Sequence, residues 1–134
     1  MMHWVMATLM MLGAADVSAL VGEWSGESKC VGNRPACVDE QNVYVLGPSS
    51  STGTVHVLAY KIVNGKRVEM GQSDYQYDDQ AHRLTWEFTV GTTHGLWEFV
   101  VNGATMRGTL TLLPDKTVVR RVMLQQETTG TRRR

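Results

Sequence analysis

From residue 20 onward, apolar and polar residues alternate with a period of two, and turn-forming residues interrupt the pattern about every ten positions. No helical stripe longer than two turns interrupts it. Such a chain buries one face of each segment only by packing short antiparallel strands against one another. The pattern predicts strands over 20–28, 41–46, 54–63, 66–77, 82–89, 96–101, 105–113 and 117–126. Asn64-Gly65 and Asn102-Gly103 are strong hairpin signals, because both central residues of a type I′ turn need positive φ. Gly47-Pro48-Ser49-Ser50-Ser51-Thr52-Gly53, Asp78-Asp79-Gln80-Ala81, Gly91-Thr92-Thr93-His94-Gly95 and Pro114-Asp115-Lys116 supply further connections. Eight strands joined in order form an up-and-down meander, and pairing the last strand with the first removes both exposed edges. The expected fold is therefore all-β, an eight-stranded antiparallel barrel over 20–127.

Alternation also assigns faces. Leu84, Trp86 and Phe88 share one side of the fifth strand; Trp97, Phe99 and Val101 share one side of the sixth; Met106, Gly108, Leu110 and Leu112 share one side of the seventh. On the fourth strand Tyr75 and Tyr77 oppose Asp74 and Gln76. A lumen lined by Tyr75, Tyr77, Trp86, Phe88, Trp97 and Phe99 suits a small apolar or aromatic ligand, and an eight-stranded barrel is just wide enough to hold one. The same rings would equally fill a dry barrel.

Residues 1–19 read as a signal peptide. Met1 to Gly13 is an apolar run too short to span a bilayer, and small residues follow, with Val17 and Ala19 at the positions that favour cleavage after Ala19. The expected location is secreted or periplasmic, with no stable membrane insertion after processing. Cys30 and Cys37 are the only cysteines and flank a turn-rich segment, so in an exported chain they read as a disulfide. No second Cys pair or His-x-x-x-His accompanies them, and no metal or cofactor is expected.

Thirteen basic and thirteen acidic residues leave no net charge, which gives no reason to expect nucleic acid as a partner. Arg132-Arg133-Arg134 reads as part of a solvated tail, 128–134. Past the signal segment, His56 sits in a strand and His82 and His94 sit near turns; Asp78 and Asp79 are adjacent and point apart. No nucleophile elbow, phosphate loop, dinucleotide fingerprint or zinc-protease motif occurs. With no nucleophile–base pair to name, the expectation is a protein that is not an enzyme.

Leu20-Val21-Gly22-Glu23-Trp24-Ser25-Gly26, opening the first strand, resembles the Gly-x-Trp signature of the lipocalins and the wider calycin group. The resemblance implies a small-molecule carrier in which Trp24 closes the barrel floor beneath a basic residue of the last strand. Arg120 fits that role by alternation, sharing a face with Val118, Val122 and Leu124. A contrasting reading is a secreted protein-interaction module, such as a protease inhibitor that inserts the apolar end Leu20-Val21-Gly22 into a cleft.

Overall fold

A computed structural model describes residues 16–128, so the expected signal segment up to residue 15 and the tail beyond residue 128 lie outside it. Eight antiparallel strands form one closed barrel in sequence order: β1 (Gly22–Cys30), β2 (Glu40–Pro48), β3 (Thr54–Val63), β4 (Lys66–Asp78), β5 (Arg83–Val90), β6 (Thr93–Asn102), β7 (Thr105–Leu112) and β8 (Thr117–Gln126). The β1–β8 ladder closes the barrel from Trp24–Gln126 to Cys30–Arg120. At one end, the floor, a short 3-10 helix (Ser18–Leu20) precedes β1. The opposite end carries the β1–β2 loop, where Cys30 and Cys37 are bonded as expected.

The turns follow from local chemistry. Val63 pairs with Lys66 around Asn64 (φ 53°) and Gly65 (φ 78°), which is the two-residue type I′ arrangement. The second Asn-Gly behaves differently. Asn102 pairs with Thr105, so the turn residues are Gly103 (φ 62°) and Ala104, and positive φ falls only on the first. That matches a II′-like turn, in which Gly takes the first central place. β6 begins earlier than its sequence pattern indicates, at Thr93, because Gly95 pairs with Phe88. A Cβ at Gly95 would lie 2.5 Å from the Phe88 ring, so only glycine admits that ring.

Two strands carry an extra residue. Ala59 pairs with Gly71 but Tyr60 with Glu69, leaving Met70 as a bulge on β4; Leu110 pairs with Arg120 but Thr111 with Val118, leaving Val119 as a bulge on β8. Val119 is buried, and Val118 no longer shares the face of Arg120, Val122 and Leu124.

The core is densest at the floor. Leu20, Trp24, Leu46, Leu84, Phe99, Met106 and Leu124 are buried together there and in the adjoining middle of the barrel. Among the described residues no helix is long and apolar enough to cross a membrane.

Candidate functional site

Between β4 and β5 the ladder holds only near the floor, through Gln76–Thr85, Tyr77–Leu84 and Asp78–Arg83. Beyond these pairs β4 continues to pair with β3 back to Lys66, and β5 with β6 out to Val90. The two strands therefore splay apart, and the wall of the barrel is open between them toward the loop end. Burial changes at the same level. Leu84, inside the paired region, is buried, whereas Trp86 and Phe88, next on the same face of β5, are only half-buried. Further out on β4, past the level at which β5 ends, Val68 and Met70 are exposed.

Five of the six expected interior aromatics, Tyr75, Trp86, Phe88, Trp97 and Phe99, meet here. Trp86 stacks on Phe88 with ring centres 5.0 Å apart, and Tyr75 reaches across from β4 to within 5.7 Å of Trp86. Trp97, the register partner of Trp86, stacks on Phe99 at 5.8 Å, and Phe99 lies 6.2 Å from Tyr75. Tyr77 packs against the core lower down, beside Leu84. Tyr75 and Phe99 are buried; Tyr77, Trp86, Phe88 and Trp97 are half-buried. Tyr44 joins the cluster edge-on to Phe99 at 5.6 Å. It is legible as an inward residue of β2 from its alternation with Asn42 and Leu46, but it is the only aromatic of its strand, so no aromatic pattern marks it. Burial, ahead of the Glu40 charge, raises the Tyr44 phenol far above its ordinary value, and burial ahead of Tyr44 does the same for Tyr75.

The expected closure of Trp24 by Arg120 is corrected. Trp24 is fully buried at the floor, and its indole N–H donates to the Leu20 carbonyl at 2.9 Å. Its register partner on β8 is Gln126, whose side-chain amide donates to the Ala19 and Val21 carbonyls at 3.1 and 3.3 Å and ties down the 3-10 helix. Arg120 sits opposite Cys30, six residues back along β8 from Gln126, and so about 20 Å from the level of Trp24 at strand rise. There its guanidinium donates to the Ser28 hydroxyl and the Val38 carbonyl, each at 2.8 Å, and lies 3.6 Å from a Glu40 carboxylate oxygen. Its side chain is 16% exposed, so the inward direction stands while the partner differs. The Gly-x-Trp resemblance carried the expectation of a basic lid, and the strand register supplies an amide instead.

The remaining candidates stand on turns or the outer wall. His56 bridges Asp74 at 2.8 Å and Gln72 at 2.9 Å on the outside of β3 and β4, and these bonds, the Asp74 one foremost, raise its pKa. His94 contacts Glu87 across β5 and β6. His82 occupies a turn at φ 54°. Asp78 accepts the Gln80 and Ala81 amides, a local turn bond. Among the described residues no cluster of three or more His, Cys, Asp or Glu could hold a metal ion. Leu20, needed free by an inserting N-terminal strand, is buried beneath the barrel floor with its carbonyl bonded to Trp24. Set against protein-family models and against curated protein sequences, the chain matches none; its fold is a closed, calycin-like barrel of eight antiparallel strands.

Proposed function

We propose that this is an exported binding protein for a small, flat, apolar ligand, which enters between β4 and β5 and stacks on Trp86 and Phe88. The observation that carries the reading is the coincidence of the open wall with half-buried rings. In a barrel filled only for stability, large aromatics of the inward face are buried like Leu84 and Phe99. Rings left partly open at a break in the wall keep an apolar surface that a ligand covers with the gain of burial and stacking. The tightly packed floor leaves the loop-end half of the lumen as the place for the ligand.

Titration with the neutral fluorophore N-phenyl-1-naphthylamine tests this. The expected result is saturable binding of one equivalent with quenching of Trp emission, weakened at least about tenfold in Trp86→Ala or Phe88→Ala, a loss of about 1.4 kcal/mol. No saturable response in the intact protein, or equal binding in both variants while they remain folded by circular dichroism, overturns the reading.

A further inference from the structure

The outer wall has its own concavity, of about 760 Å³, running over β5, β6, β7, β8 and β1. Strand register sets its residues in rows. Arg83, Val100, Arg107, Met123 and Glu27 are successive cross-strand partners, and in the adjoining row Glu98, Thr109, Arg121 and Lys29 are likewise. Two of the four cations have carboxylates: Arg83 lies 3.5 Å from Glu98 and Lys29 lies 3.8 Å from Glu27. Among the described residues Arg107 and Arg121 have none. Arg121 is moreover placed directly opposite Lys29, and like charges on facing strands destabilise a sheet. Arg107 is flanked on both neighbouring strands by apolar side chains, Val100 and Met123, which stay 45% and 47% exposed.

We infer that this groove docks an extended, acidic segment of a partner protein, with two carboxylates on Arg107 and Arg121 and an apolar side chain beside them on Val100 or Met123. The spacing matches. Arg107 and Arg121 occupy diagonal cross-strand positions, about 7–8 Å apart. Side chains two residues apart on one face of an extended chain are separated by about 6.8 Å. Five strands span about 19 Å, the length of some six extended residues. A nucleic acid fits less well, because Glu27 and Glu98 interrupt the positive row and would face a continuous line of phosphates. An anion that fills the gap between Arg121 and Arg107 relieves the repulsion between Lys29 and Arg121, so the arrangement trades some stability for recognition.

The test uses the fluorescein-labelled hexapeptide Gly-Asp-Ser-Asp-Ser-Phe, its Lys-for-Asp counterpart and labelled hexathymidylate, read by anisotropy. The acidic peptide is expected to bind saturably, more weakly as salt rises, and at least about tenfold more weakly to Arg107→Ser/Arg121→Ser. That double variant should bind N-phenyl-1-naphthylamine as the parent protein does, which separates this groove from the lumen. Arg121→Thr alone should raise Tm by about 1–3 °C, since it removes the like-charge pair. The inference is overturned by equal binding of the acidic and basic peptides, by tighter binding of hexathymidylate, by an unchanged affinity in the double variant, or by no saturable binding below about 1 mM.

Discussion

Trp24 and Arg120 show how far a single residue's role depends on register. Both are inward, large and hydrogen-bonded, yet they serve opposite ends of the barrel. Trp24→Phe leaves the Leu20 carbonyl without its donor and, with the smaller ring, a gap at the packed floor, at a cost of about 2–4 kcal/mol. Arg120→Ala strips the Ser28 hydroxyl and the Val38 carbonyl of a charged donor and should cost about 1–3 kcal/mol. Sites this far apart with no shared partner add, so the double variant measured in denaturant melts should equal the sum of the singles within about 0.5 kcal/mol. A larger coupling would mean that the guanidinium and the indole meet after all. The inward direction of Arg120 was legible from alternation with Val122 and Leu124, but its neighbour was not. The antiparallel meeting of β1 with β8 decides that, since it sets the start of β8 against the far end of β1 from Trp24, and hydrophobic periodicity alone carries no such register.

At the scale of strands and turns, the two Asn-Gly hairpins differ by one residue of register. Asn64 itself adopts positive φ, whereas Asn102 belongs to the ladder and lends its Gly to the turn. Alanine tolerates the left-handed region less well than asparagine, so Asn64→Ala should cost about 1 kcal/mol. Asn102→Ala should stay within about 0.5 kcal/mol in the same thermal or denaturant melts, and equal losses would contradict the two turn types. The eight strands were legible because each is bounded by turn residues and keeps its period of two. The opening between β4 and β5 was not. Ser73 and Tyr75 on one strand and Phe88 and Trp86 on the other, which the same register would set opposite each other, read as ordinary strand residues, and whether they pair is a long-range property of how the two half-barrels splay. The outer cationic groove was not legible either, for a different reason. Arg83, Arg107, Arg121 and Lys29 are dispersed along the chain and converge only when five strands lie side by side.

For the molecule as a whole, the buried phenols couple folding to alkali. Tyr44 and Tyr75 belong to the continuous core that joins the dry floor to the half-open lumen, and burial holds both protonated well above the ordinary phenol range. In the unfolded chain they ionise near pH 10. The folded barrel thus retains protons that the unfolded chain releases, and the stability contributed by the neutral phenols is whole below about pH 10 and falls as the pH rises above it. Ionising them inside the barrel would bury charge that burial penalises far more than the Arg120 charge near Tyr44 offsets, so unfolding is the easier route. Alkaline titration should therefore show tyrosinate absorbance from these two residues rising together with the loss of near-ultraviolet circular dichroism, as one cooperative step. In Tyr44→Phe/Tyr75→Phe that step should move to higher pH, because the groups that drive it are gone while their rings still fill the core. A step at the same pH in the double variant would assign alkaline unfolding to other groups and separate the aromatic core from the pH response of the barrel.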